Sequence, residues 1–66
     1  MNVTIIFTNG IHEYIKNIYS VQKDRDNNIG IFELNVPFPT LWIPEEEIKS
    51  IVLTDFYETP MQVLDI

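Results

Sequence analysis

Apolar and polar residues alternate at the start of the chain with the period of a β-strand. Between residues 3 and 8, Val3, Ile5 and Phe7 fall on one side, and β-branched residues are frequent. Asn9-Gly10 follows, a dipeptide suited to the two positive φ angles of a type I′ turn. The pattern therefore predicts a strand over residues 3–8 and a hairpin directly after it.

Residues 11–22 fit two structures. Their large apolar residues have the spacing of an amphipathic helix: Ile11, Tyr14, Ile15, Ile18 and Tyr19. The segment is nevertheless rich in β-branched residues, lacks alanine and leucine, and follows a turn that requires a pairing strand. We favour two short strands with a bend near Lys16-Asn17, and the alternative is an α+β fold with a helix over residues 11–22.

The middle of the chain predicts a loop and another strand. Residues 23–28 are polar turn formers, whereas residues 29–36 alternate. In that strand one face carries polar Glu33 and Asn35, so the opposite face is the predicted core face: Gly30, Phe32, Leu34 and Val36. Two prolines flank Phe38 and end this strand, because proline cannot donate a ladder hydrogen bond.

The second half predicts a short strand over residues 40–43 and one helical turn within residues 44–49. Pro44 suits the first position of that turn, and Glu45 to Glu47 suit its positive N-terminal end. A last core strand is predicted over residues 51–54, with residues 55–58 as its continuation.

Together these elements predict an all-β fold of about five antiparallel strands, in one domain over residues 1–60. Residues 61–66 form an apolar tail that we expect to pair with the sheet or with a neighbouring chain. The expected self-association residues are Met61, Val63, Leu64 and Ile66.

Three segments, residues 4–10, 15–21 and 43–51, resemble the small SH3-like barrel proteins of Gram-positive bacteria and their phages. The similarity covers residues 3–54, and a strand, a one-turn 3₁₀ element and a closing strand are typical of such barrels near the end. The resemblance implies a partly open SH3-like barrel and an accessory role, for example in a phage or prophage. It assigns no functional residues.

Composition narrows the classes of function. The chain has 66 residues, no cysteine and a formal net charge of -6, which disfavours direct binding to nucleic acid or to anionic membranes. No apolar run approaches the roughly 20 residues that span a bilayer. Without a signal-peptide pattern at its start, the expected location is cytoplasmic.

Catalytic and metal-binding motifs are incomplete, so we expect no enzyme activity, no catalytic residues, no metal and no cofactor. His12 and Glu13 begin a zinc-protease pattern, but Lys16 stands where its second histidine belongs. Asp24 and Asp26 have the spacing that opens a calcium loop, yet the glycine and glutamate required later in the loop are missing.

The remaining candidates are surfaces for a protein partner or for a second copy. Large aromatic residues and an acidic run lie in the second half, and the expected partner-binding residues are Phe38, Trp42, Glu45, Glu46, Glu47, Phe56 and Tyr57. The aromatic residues also suit a core, and the glutamates also suit a solvated helical start. The leading hypothesis is a non-enzymatic interaction or assembly module, and the alternative is an acidic inhibitor that mimics nucleic acid.

Overall fold

The computed structural model describes residues 1–65, which form seven strands and one 3₁₀ turn. The strands are β1 (Asn2–Phe7), β2 (His12–Ile15), β3 (Ile18–Lys23), β4 (Asn28–Glu33), β5 (Leu41–Pro44), β6 (Ile48–Thr54) and β7 (Pro60–Asp65), and the 3₁₀ turn is Glu45–Glu47. The prediction of an all-β fold with one helical turn after Pro44 is confirmed. No helix within residues 1–65 has the length and apolar character needed to cross a membrane.

Two antiparallel sheets contain these strands, in the orders β2-β1-β6-β7 and β3-β4-β5. The segment with two interpretations forms β2 and β3, so the helix alternative for residues 11–22 is wrong. The bend between them lies at Asn17, whose φ of 58° is in the left-handed region that asparagine tolerates better than most residues. This bend carries the chain from one sheet to the other.

The β1–β2 hairpin forms at Asn9-Gly10, but its turn is not the predicted type I′. Only Gly10 has a positive φ, of 88°, and its N–H donates to the Phe7 carbonyl at 3.0 Å. The Asn9 side chain accepts the N–H of Ile11. This is the geometry of a type I turn that ends in a left-handed glycine, a common three-residue hairpin loop.

The core lies between the two sheets and is built mainly from isoleucine. Each sheet contributes residues from alternate positions of its strands, and the buried set is Val3, Ile5, Ile18, Ile29, Ile31, Ile43, Ile48, Ile51 and Leu53. Phe7, Ile15, Val21, Leu41 and Leu64 pack around this set. The stiff β-branched side chains suit both the strand backbone and this packing.

The predicted core face of β4 is wrong. Ile29 and Ile31 are buried in the core, whereas Gly30 and Phe32 lie on the outer face of the three-stranded sheet. The strand ends at Glu33 because a turn begins there: the Val36 N–H donates to the Glu33 carbonyl at 3.3 Å, and Asn35 inside this turn has a left-handed φ of 64°. The residues after Glu33 therefore leave the ladder and do not take part in its alternation.

Residues 55–58 do not continue a strand, and this part of the prediction is also wrong. They belong to a tight turn between β6 and β7, and β6 itself begins earlier than predicted, at Ile48. Residues 60–65, which include most of the predicted tail, form β7 and pair with β6, with Leu64 opposite Ile51. Its pairing covers one edge of β6, while β1 covers the other.

Candidate functional site

Most exposed large apolar side chains lie at one end of the molecule, because three connections meet there. These connections are the bend at Asn17, the β4–β5 loop (residues 34–40) and the β6–β7 turn (residues 55–59). The strand pairings and the backbone hydrogen bonds bring all three to the end of the molecule where Asn2 lies. We call this the aromatic end and define it by its exposed residues: Tyr14, Tyr19, Leu34, Phe38, Phe56 and Tyr57. Single exposed apolar residues are ordinary on protein surfaces, but a cluster at one end is typical of a binding surface.

The β6–β7 turn holds Phe56 and Tyr57 out into solvent. Their exposed fractions are 83% and 84%, and the two rings meet edge to face with centroids 5.3 Å apart. Asp55 closes the turn, because its Oδ1 accepts the N–H groups of Tyr57 and Thr59, each at 2.9 Å. The Asp55 N–H also donates to the Thr59 carbonyl, so the aromatic pair is presented on a braced turn and not on a loose loop.

Asn2 ties this turn to the bend between the sheets. Its side chain is nearly buried; its Oδ1 accepts the Asn17 N–H at 3.2 Å, and its Nδ2 donates to the Asp55 carbonyl at 3.3 Å. One amide group thus satisfies two backbone groups that belong to different connections. Asn2 is therefore a positioning residue for the aromatic end.

Tyr14 gives the turn a second attachment, from β2. Its hydroxyl donates to Oε1 of Glu58 at 2.5 Å, a length found in charge-assisted O–H···O⁻ bonds. This hydrogen bond to Glu58 raises the pKa of Tyr14, because the phenol must stay protonated to donate. Glu58 itself has a φ of 63°, an uncommon value for a residue other than glycine, and its side chain is fixed by the contact with Tyr14.

A shallow groove lies beside these residues at the aromatic end. Tyr14, Leu34 and Thr40 are among its lining residues, so it runs between β2 and the β4–β5 loop. The Leu34 N–H donates to the Asn17 carbonyl at 2.9 Å, which fixes the start of that loop against the bend. Phe38 is exposed in the same loop.

The three glutamates lie at the opposite end of β6. Glu45 to Glu47 form the 3₁₀ turn that precedes Ile48, whereas the aromatic pair follows Thr54. A strand of seven residues separates the two groups by about 20 Å. The acidic run and the aromatic pair therefore cannot contribute to one compact contact patch.

Positive charges accompany the acidic run. Lys23 forms an ion pair with Glu45 at 3.0 Å, and Lys49 lines an open groove together with Asp26 and Glu46. Arg25 lies in the loop beside this groove, so three of the four basic residues of the chain are at the acidic end. A surface of mixed sign does not reproduce the uniform negative charge of a nucleic-acid backbone.

The side chain of Asp24 is engaged within its own loop. Oδ1 of Asp24 accepts the N–H groups of Asp26 and Asn28, at 2.8 and 2.9 Å, so its carboxylate closes its own loop. The hydrogen bond from the Asn28 backbone lowers the pKa of Asp24. Within residues 1–65 no group of three or more histidine, aspartate or glutamate side chains is placed to hold a metal ion.

Trp42 lies across the outer face of the three-stranded sheet, apart from both ends. It is opposite Gly30 in the β4–β5 register and is 48% exposed. A Cβ built on Gly30 would be 2.3 Å from Cζ3 of Trp42 and 3.1 Å from Cε2 of Phe32. The indole therefore occupies the space that a side chain at residue 30 would fill, which is a packing role.

The structure divides the predicted site residues into separate groups. Phe38, Phe56 and Tyr57 lie at the aromatic end, the three glutamates lie at the opposite end, and Trp42 packs on Gly30. Among the predicted self-association residues, Met61 and Val63 are exposed on β7, Leu64 packs against the core, and Ile66 lies outside the described residues.

Several residues of the aromatic end were not predicted from the sequence. Tyr14, Tyr19 and Leu34 belong to segments far apart in the chain, and only the strand register brings them together. Asp55 did carry a local signal, because an aspartate that begins a turn accepts backbone N–H groups two residues later.

Comparisons of the chain with protein-family models, with curated proteins and with solved structures find no match in any of the three. The functional proposal below therefore rests on the geometry of this chain.

Proposed function

We propose that this chain is a non-enzymatic protein-interaction module that binds a partner protein through its aromatic end. The observation that supports this most is the outward display of Phe56 and Tyr57 on a turn braced by Asp55. Large aromatic side chains dominate the energetics of many interfaces, and a preorganised turn avoids part of the ordering cost of binding.

The size of the expected contribution follows from the two rings. An aromatic side chain buries about 150–250 Å² when it is covered, and each Å² of apolar surface contributes about 25 cal/mol. Each of Phe56 and Tyr57 is nearly fully exposed in the free chain, so almost all of this area is available to a partner. The gain is several kcal/mol for the pair before the costs of association.

The partner that suits this surface is a protein with an apolar pocket, and neither a nucleic acid nor a membrane. The chain carries a net charge of -6, and three of its four basic residues lie at the end away from the aromatic pair. The SH3-like resemblance supports an accessory or assembly role in a Gram-positive bacterium or its phage.

The test compares the wild-type chain with matched surface variants. The chain is immobilised, exposed to a lysate of a Gram-positive bacterium, and the retained proteins are quantified by mass spectrometry. We expect the double variant Phe56→Ser/Tyr57→Ser to lose a protein that Ile11→Ser retains, since Ile11 is also exposed but lies in the β1–β2 turn. The retained protein is then purified, and its affinity should fall by about 2 kcal/mol or more, roughly 30-fold, in the double variant.

A third variant separates the two candidate surfaces. Replacing Glu45, Glu46 and Glu47 by glutamine should leave this binding unchanged. If the glutamine variant loses the partner and the serine double variant keeps it, the aromatic end is not the binding surface.

A further inference from the structure

The tip of the β1–β2 hairpin brings together an asparagine and a glycine whose groups can react with each other. Asn9 is followed directly by Gly10, and both residues are exposed. The side-chain Cγ of an asparagine and the backbone nitrogen of the next residue can close a five-membered succinimide ring. This is an intramolecular acyl transfer, so its rate depends on access to the nitrogen and on polarisation of the carbonyl.

The attacking nitrogen is open in the folded chain. Gly10 has no side chain to crowd its own nitrogen, which lets another group approach closely. Apart from its chain neighbours, no atom lies within 4 Å of the position that a Cβ of residue 10 would take. Neither a side chain nor a packed element therefore blocks the approach.

The side-chain carbonyl of Asn9 is polarised by a backbone amide. Its Oδ1 accepts the N–H of Ile11 at 3.0 Å. When the Gly10 nitrogen adds to Cγ, an electron pair of the carbonyl moves onto Oδ1, and this oxygen becomes negative. A backbone N–H that already points at such an oxygen stabilises the charge as it develops. The loop therefore favours the addition step.

One hydrogen bond opposes the reaction while the loop is closed. The Gly10 N–H donates to the Phe7 carbonyl at 3.0 Å, and this bond must open before the nitrogen can lose its proton. The bond lies at an exposed loop tip beside an edge strand, where hydrogen bonds open locally without unfolding of the core. The reactive form is therefore accessible from the native state.

The other five asparagines lack this combination. Asn27 is followed by Asn28, which has a Cβ, and the Asn2 amide is nearly buried and forms two hydrogen bonds. A β-branched residue, which crowds the attacking nitrogen, follows each of the remaining cases and Asn2 as well. These asparagines are Asn2, Asn17, Asn28 and Asn35.

We propose that Asn9 is a site of spontaneous deamidation in the folded chain, through a succinimide formed with the Gly10 nitrogen. The nitrogen gives its proton to hydroxide and bonds to Cγ; the Cγ–Nδ2 bond then breaks, and Nδ2 takes a proton from water and leaves as ammonia. Water next opens the ring at one of two bonds. Breaking the bond from nitrogen to Cγ gives aspartate, and breaking the bond from nitrogen to the backbone carbonyl carbon gives isoaspartate. One water is consumed, one ammonia is released, and nothing is oxidised or reduced.

The two products affect the hairpin differently. Aspartate keeps an oxygen that accepts the Ile11 N–H and adds one negative charge, whereas isoaspartate lengthens the main chain of the loop by one carbon. Phe7 forms backbone hydrogen bonds with Gly10 and with Ile11 that fit the unmodified loop. We expect isoaspartate to loosen the pairing of β2 with β1, and faster amide hydrogen exchange in β2 than in Asn9→Asp would show it. Equal exchange in the two forms would overturn this effect.

The first test is incubation of the full chain at several mildly alkaline pH values, followed by peptide mapping. Each conversion adds about 1 Da, and isoaspartate is quantified by enzymatic methylation. We expect Asn9 to convert at least about tenfold faster than any other asparagine, at a rate that rises about tenfold per pH unit because the nitrogen must lose its proton. Hydroxylamine, which attacks the succinimide, should cleave the chain between Asn9 and Gly10. Conversion of Asn9 no faster than that of Asn27, or a rate independent of pH, would overturn the proposal.

Two variants test whether the ring closes in the native loop. Gly10→Ala adds a Cβ beside the nitrogen and strains the loop at its φ of 88°, so conversion should slow about tenfold although the loop is looser. Asn2→Ala weakens the fold at the other end of β1 and raises the unfolded fraction about fivefold or more. The rate at Asn9 should stay unchanged in this variant. A rate that rises with the unfolded fraction would place the reaction in the unfolded chain and refute a native site, as would faster conversion in Gly10→Ala.

Discussion

The contact between Trp42 and Gly30 makes a quantitative prediction about stability. Gly30→Ala places a Cβ 2.3 Å from Cζ3 and 2.7 Å from Cε3 of the indole, whereas carbon atoms in contact prefer about 3.5–4.0 Å. The ring must therefore move away from β4. The backbone pairing of residue 30 with Trp42 in the β4–β5 ladder stays in place, so we expect the indole to swing into solvent while the fold is retained.

The cost follows from the area that the indole loses. Trp42 is 48% exposed, so roughly 100 Å² of its surface is covered. At about 25 cal/mol per Å² this area contributes about 2.5 kcal/mol. Alanine also stabilises the protein by about 0.5 kcal/mol, because it restricts the unfolded chain more than glycine does. The net loss in the free energy of unfolding is therefore about 2 kcal/mol. For a domain of this size such a loss lowers Tm by about 10 °C.

The assay is denaturant unfolding followed by circular dichroism, with tryptophan fluorescence as a second signal. Trp42 is the only tryptophan, so a red shift of emission in folded Gly30→Ala reports its exposure directly. In a Trp42→Ala background only the ring edge of Phe32, 3.1 Å from the new Cβ, has to move slightly, so the same glycine substitution should cost far less than in the wild type. If Gly30→Ala costs the same in both backgrounds, the indole is not the reason for glycine at residue 30.

Three further predictions concern the polar contacts. Asn2→Ala should cost about 1–3 kcal/mol in denaturant unfolding and should speed hydrogen exchange at the Asn17 amide, because that N–H loses its acceptor. Asp24 has a lowered pKa in the folded chain, so its contribution is present above the ordinary aspartate pKa of about 3.9 and is lost as the pH falls through the lower folded value. The stability difference between wild type and Asp24→Asn should therefore shrink below about pH 4, and a difference that is constant with pH would contradict this. Tyr14 has a raised pKa, so its hydrogen bond to Glu58 stabilises the fold below about pH 10 and is lost as the pH rises through the higher folded value. Absorbance titration should show one tyrosine that ionises later than the others. Tyr14→Phe should remove this late titration, and Glu58→Ala should lower the pKa of Tyr14 toward its ordinary value.

The sequence was sufficient to predict the strands whose alternation is uninterrupted. Val3 and Ile5 lie on the buried face of β1, and the bend near Asn17 follows from β-branched residues that surround a residue tolerant of left-handed backbone. The prediction for β4 failed because the polarity of Glu33 and Asn35 suggested an outer face, although Asn35 has already left the strand. A glycine that makes room for a tryptophan from the next strand cannot be recognised without the register.

The candidate site was less predictable than the fold for a related reason. Phe56 and Tyr57 have high strand propensity, so their composition suggested an extension of β6, whereas the hydrogen bonds of Asp55 close a turn there. The separation of the aromatic pair from Glu45 to Glu47 depends on the length and direction of β6. Neither quantity is visible from the order of residues alone.

The pairing of β1 with β6 has a consequence for how the chain folds. Asn2 is opposite Thr54, so the contact that completes the core joins residues separated by most of the chain. Before β6 is available, the β1–β2 hairpin leaves one edge of β1 open and the side chains of Val3 and Ile5 incompletely covered. Folding must therefore close a long loop late, which is slow for a chain of this size. During synthesis the chain can reach its native core only after Thr54 has emerged from the ribosome.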